Sequence, residues 1–375
     1  MNPNSKNFFG GLESLRGMAA LIVVFVHIKW VNPLTTLLFF RNGYLMVDLF
    51  FVLSGFVICY NYGQKIGNAK DIGHFMFLRF GRLYPLHLFC LIAFLCIEIA
   101  KYIGELKFHL VPYASTAFSI NSTSSFIANL LLIQTLCPFA NMTFNGPSWS
   151  ISAEFYTYLI FALVILAAPK RKSVLIVSGL LVLVTAFLLI FFGVSSLTEL
   201  TGWSLLRCIL GFFMGVLAFH TYDRFRSHLS RWSDKVVFFL SAILVAFLSF
   251  RENPKLDGIL VLPIFFALIV AIAAEPVGII SKIINSSPLR WLGRVSYSIY
   301  MTHYMVLMFL SRCVARIQSH FNLNDRNAIG VAFVFLAIVL VLFISKLTYQ
   351  WIEKPFQKEF RGLSEKYFRG WEARA

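Results

Sequence analysis

Long apolar runs, broken by short charged or Pro/Gly/Asn-rich stretches, fill most of the chain. Each run is about 17 to 23 residues long, which as an α-helix crosses a hydrocarbon layer of roughly 30 Å. Runs begin near Leu12, Gly43, Leu83, Trp149, Ser173, Trp203, Lys235, Leu256, Ser296 and Ala328, so the pattern predicts an all-α polytopic bundle of about ten transmembrane helices. A further stretch, "FIANLLLIQTLC" from Phe126 to Cys137, is only about twelve residues and reads as a re-entrant or surface helix. No repeat, low-complexity tract or soluble domain interrupts the series. Residues 1–360 therefore read as one membrane domain, with 361–375 a short charged tail that continues an amphipathic stretch beginning at Lys354.

Whether the short stretch crosses the membrane decides the sidedness of everything after it. With ten spans and both termini in the cytoplasm, the inner side receives Lys6, Arg16, Lys65, Lys70, Arg79, Arg82 and the "KRK" of Lys170 to Lys172. It also receives Arg224, Arg226, Arg231, Lys235, Lys282, Arg290, Arg294 and the basic residues from Lys346 onward, in all about 23 of the 33 Lys and Arg. An eleventh span would move several of these clusters to the wrong side.

Composition sharpens the class. The chain is 58% hydrophobic and 13% charged, with 41 Phe in 375 residues and a mean hydropathy of +0.75. A net charge of +16 would suggest nucleic acid in a soluble protein; here the basic residues sit in short loops between apolar runs, where they orient spans, and no nucleic-acid role is expected. The six cysteines form no C-x-x-C pair and no metal-ligand spacing, so they read as lipid-buried free thiols with no metal site. The first apolar run lacks a cleavage site and reads as a retained span.

Polar residues inside these runs carry the candidate chemistry. "LRGMAALIVVFVHIKW" places Arg16 and His27 eleven residues apart, on one helix face and about 16 Å apart along the axis. Each charge at mid-bilayer costs roughly 2.5 to 3.5 kcal/mol on insertion scales, so such residues point to function. The second span, "GYLMVDLFFVLSGFVICY", runs the opposite way and brings Asp48 to about the depth of His27, the arrangement a general base and its orienting acid require. "FLRFGRLYPLHL" adds Arg79 and Arg82, neighbours on a helix at the inner end of the third span. Arg16, Arg79 and Arg82 can then meet at the cytoplasmic mouth and bind phosphate, although a positive-inside anchor also explains them.

"NGPSWSISAEFYTY" opens the fourth span from the outer side, placing Asn145, Ser148, Trp149, Ser150 and Glu154 at the expected depth of the His27–Asp48 pair. Helix capping and an interfacial tryptophan are the structural alternatives there. In "LGRVSYSIYMTHYMV", Tyr297, Tyr300 and His303 form a polar stripe through the inner half of the ninth span that either lines a channel for a long thin substrate or packs helices by hydrogen bonds. Glu98, Arg207 and Glu275 are also ionisable and in or beside spans, with no role assigned by the sequence.

Together these segments resemble the integral-membrane acyltransferase family 3, which includes bacterial O-antigen and exopolysaccharide O-acetyltransferases. The matching units are the R-x10-H pair Arg16/His27, the block around Asp48 and Ser54, the R-x-x-R pair Arg79/Arg82, "SWSISAEFYTY", "LGRVSYSIYMTH" and "WIEKPF", in order from about residue 9 to 360. The resemblance implies an enzyme of the bacterial inner membrane that moves an acyl group, by default acetyl, from cytoplasmic acyl-CoA to a hydroxyl of a carbohydrate or glycolipid at the outer side. By the same carry-over, His27 is catalytic with Asp48 its partner, and Arg16, Arg79 and Arg82 act through the coenzyme. Tyr297, Tyr300 and His303 are expected beside the donor, and Trp149, Ser150 and Glu154 beside the acceptor. Acetyl-CoA would be a donor substrate, with no permanently bound cofactor. Direct transfer and an acyl-histidine route both stay open. A secondary transporter is the rival class, but it usually shows two related halves, which are absent here.

Overall fold

The computed structural model describes residues 9–109, 115–137, 142–192, 202–229, 233–252, 257–275, 277–320 and 326–368. Lys6, Arg231, Leu256 and the tail beyond Phe368 lie outside the described residues. The principal helices are α1 (Gly10–Val26), α2 (Met46–Tyr62), α3 (Ala69–Phe108), α4 (Thr123–Leu130) and α5 (Trp149–Ala167). They are followed by α6 (Arg171–Phe191), α7 (Ser204–Leu229), α8 (Ser233–Phe250) and α9 (Leu262–Ala273), then α10 (Ser287–Arg294), α11 (Ser296–His320), α12 (Arg326–Thr348) and α13 (Lys354–Tyr367). Among the described residues there is no β-strand.

Among the described residues all ten apolar runs are helical, and seven helices are long and apolar enough to cross a membrane. The other three are α1, α9 and α11. α1 has only 17 residues, α9 only 12, and α11 carries the polar stripe and an Arg-rich end. α2 sits at the centre, with 78% of its apolar window buried, whereas α6 and α8 are rim helices with 22%.

α3 begins well before Leu83, at Ala69, because Asn68 and Asp71 close a capping box there. Its 40 residues make a rod of about 60 Å, twice the hydrocarbon thickness. The stretch from Phe126 to Cys137 is no span: α4 has eight residues and is followed by turns. It is tucked between α3 and α5, where side chains take its carbonyls. Tyr84 donates to Leu130 O and Ser152 to Leu132 O, and His87 Nε2 lies 2.9 Å from Asn129 O. Non-helical backbone at membrane depth needs such partners.

α2 and α7 cross at a distance only glycine permits. A Cβ on Gly55 would stand 1.8 Å from Phe212 O, and one on Gly215 2.0 Å from Val52 O. Gly211 and Gly215 form the small-xxx-small ridge "GFFMG" that lets membrane helices approach. This crossing brings Arg207 of α7 to Asp48 of α2. At the far end of the chain, α13 packs along the first turns of α3, with Phe360 against Gly81 and Ser364 hydrogen-bonded to His74. The helix runs unbroken through residue 360, where the sequence suggested the tail begins. The six cysteines are unpaired; Cys96 and Cys313 are exposed, whereas Cys59, Cys90 and Cys208 are buried in the protein.

Candidate active site

Arg16 of α1 and Arg79 and Arg82 of α3 do converge, lining one cavity of about 120 Å³ with Ser54, Ser150, Glu154, Tyr158, Tyr297 and Tyr300. Each arginine is held differently. Arg82 forms an ion pair with the buried Glu353 at 2.7 Å and lies over the Tyr297 ring. Glu353 also accepts from Ser298 at 2.7 Å, so "WIEKPF" contributes the carboxylate that aims Arg82. Arg79 donates to the Tyr62 hydroxyl at 2.8 Å. Arg16 has no hydrogen bond or ion pair among the described residues, although its guanidinium faces the cavity wall that holds Glu154. Three cations against two carboxylates, Glu154 in the wall and Glu353 behind Arg82, leave a net positive charge that suits this cavity to an anion.

Glu154 departs from its expected depth. It is bonded to Ser54 and Tyr158 in the arginine cavity, and Ser54 lies six residues beyond Asp48, about 9 Å further along α2. Ser150 closes the same cavity from above: its hydroxyl meets Tyr300 Oη at 2.7 Å, and Tyr300 donates to Pro147 O at 2.9 Å. Tyr297 donates to Leu83 O. Tyr297 and Tyr300 therefore both line the cavity and link helices by hydrogen bonds.

His27 follows α1 directly, as its C-cap residue, and its partner is not Asp48. His27 Nδ1 lies 3.1 Å from Val23 O and 3.3 Å from Nε2 of the fully buried His303. His303 Nδ1 lies 3.1 Å from Ile299 O. Carbonyls only accept, so each imidazole carries its proton on Nδ1. His303 Nε2 then turns a lone pair toward the His27 Nδ1–H, and His27 keeps an unprotonated Nε2. This is the tautomer a general base needs, set by the Val23 carbonyl together with a second histidine instead of a carboxylate. His303 accordingly does not line the cavity; it sits behind Tyr300, with the two rings 5.8 Å apart.

Asp48 is committed elsewhere. Both its oxygens accept from Arg207, at 2.7 Å each from Nε and Nη2, and both side chains are buried. The planar guanidinium matches the carboxylate, which leaves neither charge to seek a distant partner. Trp149, expected beside the acceptor, is buried against this pair: its ring lies 5.5 Å from the Arg207 guanidinium carbon and 6.1 Å from the Phe51 ring. Asp48, Arg207 and Trp149 thus form a buried brace between α2, α5 and α7, outside the cavity.

Two residues of this arrangement, Arg207 and Glu353, had no assigned role. Arg207 stands four residues inside α7, which runs parallel to α2, so matching charges at corresponding ends of the two spans could have paired it with Asp48. Glu353 is flanked by Lys354 and reads as a surface charge; nothing local reveals its burial. Among the described residues, no group of three or more His, Cys, Asp or Glu side chains comes together as a metal site would require.

Residues 9–349 match the family model described as "Acyltransferase domain". Among curated proteins, the chain is 26% identical over 392 residues to YrhL of Bacillus subtilis (strain 168), named as a candidate peptidoglycan O-acetyltransferase, covering 96% of this chain and 57% of that one. It is 26% identical to the peptidoglycan O-acetyltransferase OatA of Listeria monocytogenes, over 98% of this chain and 59% of that protein. The O-acetyltransferase OatA of Staphylococcus aureus (strain NCTC 8325 / PS 47) is 24% identical, with 95% and 58% covered. The chain thus spans somewhat over half the length of these relatives. No solved structure matches it.

Proposed function

Because the chain belongs to the membrane acyltransferase family whose domain model it matches from residue 9 to 349, we propose that it is an O-acetyltransferase working across the bilayer. The donor is acyl-CoA supplied from the cytoplasm, and the acceptor is a carbohydrate hydroxyl on the outer side of a bacterial inner membrane. The names of the relatives favour a peptidoglycan sugar over lipopolysaccharide as that acceptor.

The observation that carries this reading is the division of α1. Arg16, without a partner among the described residues, opens into a cationic cavity in the first half of the helix, and His27, holding a basic Nε2, stands at its C-terminal end. The separation along the helix is about 16 Å, comparable to a pantetheine arm on the order of 15 to 20 Å. Arginines suited to phosphate hold the nucleotide end, and the arm reaches toward His27 past the Tyr300–Ser150 contact.

His27 Nε2 takes the proton of the acceptor hydroxyl as that oxygen attacks the thioester carbonyl. The carbon–sulfur bond then breaks, and the imidazolium returns the proton to the departing thiolate. Holding donor and acceptor together at one imidazole supplies the proximity term.

Membranes containing the chain, given acetyl-CoA labelled in the acetyl group and a panel of glycans, should form a base-labile labelled ester on a glycan, and His27→Ala should abolish it. Label transfer undiminished in His27→Ala would refute the assignment of the base.

A further inference from the structure

A second, larger cavity of about 360 Å³ lies among the ends of α2, α5, α6 and α7. It is separate from the arginine cavity. Ser54 and Ile58 of α2 face the first space, whereas Cys59, Tyr60 and Gly63 face the second, and at 100° per residue Ser54 and Cys59 point about 140° apart. Nothing in the proposed transfer reaction uses this second space.

Its wall carries Lys65, Arg171 and Arg226 against one carboxylate, Asp223. Arg171 donates to Asp223 at 2.7 Å and to His220 O at 3.2 Å, which leaves guanidinium donors to spare. The Arg171–Asp223 pair is half-exposed, so it is a weak brace that a stronger acceptor can share. His220 also lines the space, and its Nδ1 is buried with no hydrogen-bond partner. The three cations against one carboxylate in this wall suit the recess to an anion.

The position says which anion. The three cations stand at one end of four helices, where the spans α2, α5 and α6 meet their connecting segments. α6 is a rim helix with Ile176, Leu180, Leu183 and Phe187 exposed, and Phe225 of α7 is exposed beside Arg226. A ligand here meets a polar, cationic recess and a hydrocarbon-facing rim together. Basic pockets between membrane helices at the headgroup level take lipid phosphates.

We propose that this cavity binds the phosphate of an anionic phospholipid, with Arg171, Arg226 and Lys65 as its contacts and the acyl chains lying against the α6 rim. The purified full chain in detergent, titrated with phosphatidylglycerol or with phosphatidylcholine and weighed intact by native mass spectrometry, tests this. Wild type should retain phosphatidylglycerol over phosphatidylcholine. The double variant Arg171→Gln/Arg226→Gln should lose about fivefold per charge, or on the order of 25-fold.

Asp223→Asn removes the competing carboxylate and should tighten phosphatidylglycerol binding, a gain that a merely structural role for the pair does not give; it also serves if the double variant misfolds. Equal retention by wild type and double variant, or no gain in Asp223→Asn, overturns the proposal. Displacement of the lipid by millimolar inorganic phosphate or adenosine 3′,5′-diphosphate would also overturn it, making the recess a soluble-anion site.

Discussion

Asp48 and Arg207 are two full charges removed from water, and each is tolerable because the other satisfies it through two bonds of 2.7 Å. Removing one partner strands the other, which costs about 3 to 5 kcal/mol in buried pairs. Asp48→Ala and Arg207→Ala should therefore each lower the thermal midpoint of the detergent-solubilised protein steeply, and the double variant should lose much less than their sum. Additive losses would show that the pair does not act as one unit. At His27 the question is orientation. His303→Ala should lower kcat with little change in donor KM, because it releases the His27 tautomer without touching the cavity. His303→Asn, which keeps an acceptor, should recover part of the rate. A change confined to KM would instead place His303 in donor binding. The sequence contained both histidines and the aspartate but not their pairing, since expected depth set Asp48 level with His27 and His303 in the inner half of its span, whereas the fold brings His303 to His27.

At the scale of the helix, the apolar runs were legible almost completely: each became a helix, and the stretch from Phe126 to Cys137 was too short to span, as its length required. Boundaries were less so. α3 starts 14 residues earlier than its apolar run because the signal lies in the polar "NAKD" cap, not in hydrophobicity. The contact that builds the brace was written in "GFFMG", whose glycines read as loop or filler until a partner helix is known. Gly215→Leu would force α7 away from Val52 O and take Arg207 from Asp48. It should reduce the yield of folded protein more than Gly179→Leu, at a glycine with open space around it. Equal yields would mean that the α2–α7 crossing tolerates separation.

For the molecule as a whole, one arginine-lined cavity and one imidazole occupy different parts of the same helix, and Tyr300 and Ser150 meet at the cavity wall. Sequence order alone could set Arg16 and His27 about 16 Å apart on α1; it took the folded chain to bring Arg79, Arg82 and Glu154 to the cavity of the first and His303 beside the second. The burial of Glu353 under α13 was hidden because its partners lie some 270 residues away in sequence, at Arg82, and 55 away, at Ser298. The division of labour between the two ends is tested by measuring acetyl-CoA binding to purified Arg16→Ala and His27→Ala proteins, both expected to be inactive in transfer. The account predicts that His27→Ala binds the donor as wild type does, while Arg16→Ala binds it at least about tenfold more weakly, as expected for loss of a charge-assisted phosphate contact. Donor binding lost in His27→Ala and kept in Arg16→Ala would contradict it.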